Sequence, residues 1–150
     1  MNDLESLYQE LILDHSKRPH GKGLAGEEGR VATSHQRNPI CGDEITLRVQ
    51  LSDDGAEVTG VTWDGAGCSI SQASASMLAS LIEEEQRMPK AEASALIDGF
   101  REALRSRGAI TLDEEVYGDA AALSGVSKFT ARVKCAMLAW VAFEDASARA

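Results

Sequence analysis

The sequence has few cysteines, no excess of basic residues and no long apolar run. Its 150 residues include three cysteines, too few for the disulfide framework that stabilises many small secreted proteins. Fifteen Lys and Arg stand against 24 Asp and Glu, which gives a net charge of −9. This balance argues against nucleic acid or an anionic membrane surface as a partner, because phosphate binding needs clustered cations. A protein partner with a basic docking face is compatible with it.

Targeting and membrane signals are also missing from the sequence. No stretch approaches the roughly 20 apolar residues that span a bilayer, and residues 1–10 carry three acidic side chains instead of a basic region followed by an apolar run. We therefore expect a cytoplasmic protein. The length fits one domain over residues 1–150, and 43% apolar with 26% charged residues is an ordinary globular balance.

The middle of the first half has the pattern of β-strands. Apolar and polar residues alternate over 44–51, which is typical of a strand with one buried face. Asp54-Gly55 is a turn signal and a second β-rich run follows it. Residues 44–64 are therefore predicted to form a β-hairpin, with residues 30–36 as a short edge strand.

Helical spacing of apolar residues dominates the rest of the chain. It predicts four helices: residues 3–16, a helix from about 69 with Ser69 or Ser71 as its cap, a helix from Pro89 to about 108, and a helix from 127–129 to about 147. Residues 109–126 are predicted to be irregular. The aromatic residues expected in the core are Trp63, Phe100, Trp140 and Phe143. This order predicts an α+β fold, in which helices pack on one side of a small antiparallel sheet of about three strands.

Two cysteines flank the predicted hairpin at its open end. If Asp54-Gly55 is a two-residue turn, the register places Cys41 directly opposite Cys68, and facing Cβ atoms in such a pair are about 5 Å apart. Asp43 is two residues from Cys41, so its side chain points to the same side. The strand pattern alone therefore brings these three side chains together.

This register has one weakness, because it puts the apolar residues of the two strands on opposite faces of the hairpin. A bulge or longer loop that shifts the pairing by one residue would place Trp63 beside Leu47 and Val61 beside Val49. We expect such a shift. It moves the two cysteines by only one residue, so their proximity is preserved.

Three thiolates and one carboxylate are a ligand set suited to tetrahedral zinc. Cys68 begins a predicted helix, whose exposed N–H groups favour a thiolate. Cys135 cannot be placed from spacing, and it is equally well explained as a buried small hydrophobe. Asp43 has an alternative role as a turn former. His15 is expected to make only a local contact at the end of the first helix.

The motifs around the cysteines resemble those of the IscU/SufU (NifU N-terminal-like) iron–sulfur cluster assembly family. They read Asn-Pro-Ile-Cys-Gly-Asp at 38–43, Gly-Ala-Gly-Cys-Ser-Ile-Ser at 65–71 and Arg-Val-Lys-Cys-Ala at 132–136, and the N-terminal helix adds Asp14-His15. The long segment between Cys68 and Cys135 and the Lys134 that precedes Cys135 resemble the SufU branch. The chain also lacks the Leu-Pro-Pro-Val-Lys motif of the scaffold branch.

The resemblance implies an IscU-like fold and a function. Cys41, Asp43, Cys68 and Cys135 would bind Zn²⁺, and Arg132 would lie close to these ligands. Cys41 would accept persulfide sulfur from a SufS-type cysteine desulfurase, in a sulfurtransferase role that also activates the desulfurase. Downstream Suf cluster assembly proteins would be further partners.

Two other functions use the same residues. An iron–sulfur scaffold would hold a transient Fe–S cluster on the same cysteines. A zinc-stabilised adaptor would use the metal only for folding and would carry out no transfer chemistry. Charge and composition do not separate these possibilities, so metal content and the reactivity of Cys41 have to distinguish them.

Overall fold

The computed structural model describes residues 3–39 and 42–149, with side chains described from residue 6 onward. In chain order the elements are α1 (Asp3–Lys17), β1 (Arg30–Asn38), β2 (Asp43–Leu51), β3 (Glu57–Ala66), α2 (Ser69–Glu85), β4 (Met88–Pro89), α3 (Lys90–Arg105), α4 (Glu114–Tyr117), a 3₁₀ segment (Gly118–Lys128) and α5 (Thr130–Arg149). The strands form one antiparallel sheet in the order β1-β2-β3-β4. In this part of the chain no helix is both long and apolar enough to cross a membrane.

The β2–β3 hairpin has the shifted register expected from its apolar pattern. Leu47 lies opposite Trp63, and Val49 lies opposite Val61. The shift arises at an irregularity between the last two residues of β2. It is favourable because a one-residue slip moves a whole strand's side chains to the other face, and only this register puts the apolar residues of both strands on the same face.

Helices α2 and α5 cover that face of the sheet and enclose the core. The four aromatic residues predicted to be in the core are at most 1% exposed: Trp63, Phe100, Trp140 and Phe143. Burying a side chain as large as Phe100 contributes about 1.5–3 kcal/mol. The indole N–H of Trp140 donates to Ser74 Oγ at 3.0 Å, and that hydroxyl donates to the Ala136 carbonyl at 2.6 Å. This polar chain joins α2 to α5 inside an otherwise apolar core.

The α+β prediction is confirmed, with two corrections to its details. The sheet has a fourth strand, Met88–Pro89, which is too short to leave an alternating pattern in the sequence. Residues 109–126, predicted to be irregular, contain α4 and most of the 3₁₀ segment. Asp113 caps α4 by accepting from the Glu115 N–H at 2.9 Å, and the Tyr117 hydroxyl donates to the Leu96 carbonyl at 2.8 Å. The local cap and the tertiary contact of Tyr117 stabilise turns too short to be predicted from periodicity.

Candidate metal centre

The open end of the β2–β3 hairpin brings together the start of β2 and the start of α2. Asp43 is the first residue of β2, and Cys68 lies between β3 and α2. Glu44 pairs with Ala66 in the sheet, so the residues just beyond this pair approach each other. The convergence of Asp43 and Cys68 therefore follows from the strand register.

Asp43 and Cys68 are in direct contact. The Cys68 N–H donates to Asp43 Oδ1 at 2.8 Å, and Cys68 Sγ lies 3.6 Å from Asp43 Oδ2. Asp43 is 1% exposed, whereas Cys68 is exposed. A buried carboxylate is costly unless it is hydrogen-bonded, paired or bound to a metal, so this placement exceeds what a turn-forming Asp requires.

The cap of α2 differs from the prediction. Cys68, rather than Ser69 or Ser71, is the N-cap residue, and its own side chain makes no capping hydrogen bond. The Ser71 hydroxyl instead donates to the Cys68 carbonyl at 3.1 Å. The Cys68 sulfur therefore lies at a helix N-terminus, where the exposed N–H groups and the helix dipole stabilise negative charge.

Two glycines allow the strand ends to come this close. A Cβ atom on Gly67 would lie 2.4 Å from Asp43 Oδ1 and 2.7 Å from Ser71 Oγ. A Cβ atom on Gly65 would lie 2.3 Å from the Glu44 carbonyl oxygen. Real side chains do not approach so closely, so any other residue at position 67 would have to displace the Asp43 carboxylate.

Helix α5 places Cys135 beside these two residues. The next residue, Ala136, accepts the Ser74 hydroxyl from α2, which fixes the two helices in register close to the site. Cys135 is 5% exposed, and its Sγ lies 3.9 Å from the Ala131 carbonyl oxygen of the preceding turn. The position of Cys135 could not be predicted from sequence spacing, because it depends on how α5 packs across the sheet.

The three side chains have the spacing of metal ligands. The sulfur atoms of Cys68 and Cys135 and a carboxylate oxygen of Asp43 all lie within 4.8 Å of one another. Bond lengths of about 2.0–2.3 Å put the ligand atoms of a tetrahedral zinc roughly 3.5 Å apart, so the groups need to close by only about 1 Å. Within the described residues this is the one group of three or more His, Cys, Asp or Glu with such spacing. The donor set fits zinc.

The predicted fourth ligand, Cys41, lies outside the described residues, as does Ile40. Its role as ligand and sulfur acceptor therefore stays a prediction. Beside it in the sequence, Gly42 has φ of +71° and donates its N–H to the Asn38 carbonyl at 2.8 Å. A glycine suits this turn because residues with a side chain rarely adopt the left-handed conformation.

Arg132 and Lys134, the two cations nearest Cys135 in the sequence, line different grooves. Arg132 is exposed, and its guanidinium carbon lies 5.4 Å from the centre of the Phe129 ring, in a groove beside α1. Lys134 lines a separate groove with Arg37. The proposed position of Arg132 close to the ligands therefore stays a prediction. The interaction seen for this side chain is the cation–π contact with Phe129.

The expectation for His15 was wrong, because this residue is buried and makes long-range contacts. Its Nδ1 lies 2.7 Å from Ser76 Oγ and its Nε2 lies 2.9 Å from Asp119 Oδ2. Ser76 Oγ also accepts the His20 N–H at 2.8 Å. This His15 cluster (His15, Ser76 and Asp119) joins α1 to α2 and to the 3₁₀ segment. A single polar residue at a helix end carries no signal of such distant partners.

Comparison with known proteins gives the family of the chain. The NifU-like N terminal domain family matches residues 7–136, a span that contains all three cysteines. The chain belongs to this family. The match covers most of the chain, from within α1 to the first part of α5.

Relatives in the NifU-like family have two kinds of name. The zinc-dependent sulfurtransferase SufU of Bacillus subtilis is 38% identical over 147 residues, which cover 98% of this chain and 93% of that protein. The iron–sulfur cluster assembly scaffold protein IscU of Streptococcus pyogenes is also 38% identical, over 99% of this chain and 87% of that protein. Identity alone therefore does not choose between the two functions.

The NifU-like fold is also found in solved structures. The N-terminal part of a NifU-like protein from Brucella abortus matches with a TM-score of 0.76 over 95% of this chain and 92% of that chain. At 23% identity the match supports the fold alone. Fold and family thus agree with the resemblance inferred from the cysteine motifs.

Proposed function

We propose that this protein is a zinc-dependent sulfurtransferase of iron–sulfur cluster assembly, which accepts persulfide sulfur on Cys41 from a SufS-type cysteine desulfurase. The observation that carries the proposal is the convergence of Asp43, Cys68 and Cys135 from three distant parts of the chain. The similarity to the Bacillus SufU over almost the whole chain supports it. We place this activity in the cytoplasm, where thiols are kept reduced.

In this proposal Cys41, Asp43, Cys68 and Cys135 hold the zinc. When bound, zinc keeps its thiol ligands deprotonated near neutral pH without changing oxidation state. The chain itself orients the ligands, because the Cys68 N–H fixes one oxygen of Asp43 and α5 anchors Cys135 in the core.

The transfer step is a thiol–disulfide exchange. The Cys41 thiolate attacks the outer sulfur of the persulfide on the desulfurase, and a new S–S bond forms on Cys41. The S–S bond of the donor breaks, and its cysteine leaves as a thiolate. No electrons are gained or lost overall, so the step needs no oxidant or reductant. Downstream Suf cluster assembly proteins would then take the sulfur from Cys41.

The second candidate function is an iron–sulfur scaffold that assembles a cluster on the same cysteines. The equally similar Streptococcus protein named as a scaffold favours it. We prefer the sulfurtransferase because of the residue before Cys135. In the scaffold branch this position usually carries a His, whereas here it is Lys134. Protein purified without oxygen separates the two functions: the sulfurtransferase has one zinc and no visible absorption, whereas the scaffold has an iron–sulfur chromophore.

The deciding experiment combines zinc-loaded protein with a SufS-type desulfurase and cysteine. We expect faster desulfurase turnover, and mass spectrometry should find one added sulfur on the peptide that contains Cys41. Cys41→Ser should lose both effects. Zinc-loaded Ser147→Ala serves as a control for a hydroxyl change far along α5. If Cys41→Ser stimulates turnover like the wild type, the acceptor assignment is wrong.

A further inference from the structure

A basic groove lies beside the candidate metal centre in this acidic protein. Four cations line it: Arg37 at the end of β1, Arg105 and Arg107 at the end of α3, and Lys134 on α5. Its volume is about 590 Å³. The net charge of the whole chain is −9, so the surface is expected to be mainly negative. This groove is a positive region on it.

The described side chains form no ion pair with these four cations. All four are exposed, and none pairs with a carboxylate among residues 6–39 and 42–149. Arg101 in the same groove shows the contrast, because it donates to Glu144 at 2.7 Å and 3.2 Å. The groove therefore carries a formal charge of +4 from side chains that form no ion pair with a described residue.

The helix dipoles explain only part of this arrangement. Arg105 and Arg107 lie at the C-terminus of α3, where cations are favourable. Lys134 lies in the first turns of α5, whose N-terminus also faces the groove at Thr130 and has no acidic residue in its first turn. Cations at a helix N-terminus are unfavourable unless an anion compensates them. An anion bound in the groove would supply that compensation.

The backbone at the end of α3 supports the same interpretation. Arg107 has φ of +57°, a left-handed conformation that residues with side chains rarely adopt. Gly108 follows with φ of +89°, and a Cβ atom there would lie 3.0 Å from the Lys128 side chain. An arginine thus occupies a position after a helix where glycine or asparagine is usual. The Lys128 side chain lies beside the next residue, Gly108.

The floor of the groove is apolar. Leu104, Val133, Met137 and Val141 line it, while the charges lie around them. Guanidinium groups bind carboxylates through two parallel hydrogen bonds. An occupant with carboxylates spaced around apolar side chains would match both the floor and the rim.

The position of the groove indicates which partner protein contains the segment that binds there. Asn38 and Pro39 line it, and Pro39 stands two residues before Cys41 in the sequence. A protein that delivers sulfur to Cys41 must therefore approach next to the groove. We propose that the basic groove binds an acidic segment of the cysteine desulfurase, with apolar residues among its carboxylates. This inference rests on the function proposed above for the desulfurase partner.

The test is a calorimetric measurement of desulfurase binding to the zinc-loaded protein. The double variant Arg105→Gln/Arg107→Gln should bind about tenfold more weakly, as expected for loss of charged contacts at an interface. Its zinc content and its turnover at saturating concentration should match the wild type. Rising salt should weaken wild-type binding more than binding of the variant.

A matched double variant removes two positive charges elsewhere. Arg18→Gln/Arg87→Gln changes side chains that are 81% and 64% exposed, just after α1 and beside β4, and should bind within about twofold of the wild type. Equal binding by both double variants overturns the groove proposal. If inorganic pyrophosphate binds the wild type and leaves desulfurase binding unchanged, the groove is a small-anion site and the proposal is also wrong.

The two proposals fail in different ways. If wild-type protein binds the desulfurase through the groove but Cys41 gains no sulfur, the groove proposal holds and the sulfurtransferase function falls. If sulfur reaches Cys41 equally in the Arg105→Gln/Arg107→Gln variant and binding is unchanged, only the groove proposal falls. Failure of the wild type to bind the desulfurase at all overturns both.

Discussion

Helix α2 takes part in two polar clusters, one at its start and one in its middle. At the start, Cys68 meets Asp43 and Cys135. In the middle, Ser76 meets His15 and Asp119. Both clusters join distant parts of the chain through polar groups.

The two clusters differ in the kinds of group that they bring together. In the His15 cluster the contacting atoms pair with one another, since Ser76 also accepts a backbone N–H. Every interaction there is used to hold helices together. In the candidate metal centre two cysteine sulfurs and a carboxylate oxygen lie within 4.8 Å of one another, and one of the cysteines is exposed. These groups suit a shared cation, because a bound metal ion stabilises the deprotonated form of its thiol ligands. A complementary set of hydrogen-bonding groups indicates a structural role, whereas a set of metal-ligand groups indicates a ligand site.

The largest expected effect is the loss of a metal ligand. Cys135→Ser should weaken zinc binding by more than about 100-fold, because changing residues that only support ligands already costs 10–100-fold. Competition with a chromophoric chelator measures this affinity. Ser76→Ala, from the other cluster on α2, should keep wild-type zinc affinity. Wild-type affinity in Cys135→Ser would show that Cys135 is only a core residue.

The next effect concerns the His15 cluster. His15→Ala should lower the free energy of unfolding by about 2–3 kcal/mol, because it removes two hydrogen bonds and leaves a cavity and a buried Ser76 hydroxyl. Urea unfolding of the zinc-loaded protein measures this change, and the zinc content should stay at the wild-type level.

His35→Ala is the control for that variant. The His35 side chain is 52% exposed and pairs with Glu44 at 2.8 Å, so its loss should cost less than about 1 kcal/mol. Equal destabilisation by the two variants would contradict a structural role specific to the His15 cluster. Loss of zinc in His15→Ala would contradict the separation of the two clusters.

A smaller effect is expected from crowding the metal centre without touching a ligand. Gly67→Ala should displace the Asp43 carboxylate, since its Cβ would lie 2.4 Å from Oδ1. We expect about tenfold weaker zinc binding, the low end for support residues. Gly26→Ala is the matched control, because its Cβ would meet nothing within 4 Å. Unchanged zinc affinity in Gly67→Ala would count against Asp43 as a ligand.

The smallest effect is expected at the solvent-facing edge of the His15 cluster. The Asp119 side chain is 51% exposed, so water can replace part of its interaction. Asp119→Asn keeps an oxygen that can accept from His15 and should cost less than about 1 kcal/mol of unfolding free energy. A loss as large as that of His15→Ala would mean that the charge, rather than the hydrogen bond, stabilises this cluster.

Local patterns predicted the sheet and part of the site. Alternation over β2 and the need for one common apolar face determined the β2–β3 register, including its bulge, and that register brings Asp43 to Cys68. The same reasoning did not find β4, which is two residues long, or the short helices between 114 and 128. These elements depend on contacts such as Tyr117 to Leu96, which leave no periodic signal.

The sequence by itself determined the fold class and the family, and it predicted the chemical type of the site, because strand alternation, glycine positions and cysteine motifs are local properties. Only the tertiary structure decided that Cys135 joins Asp43 and Cys68, since α5 and α2 must first be fixed in register through Ser74 and Ala136. It also decided that His15 is a structural residue and that separated cations meet in one groove. Both depend on packing between residues far apart in the chain, which neither spacing nor composition records.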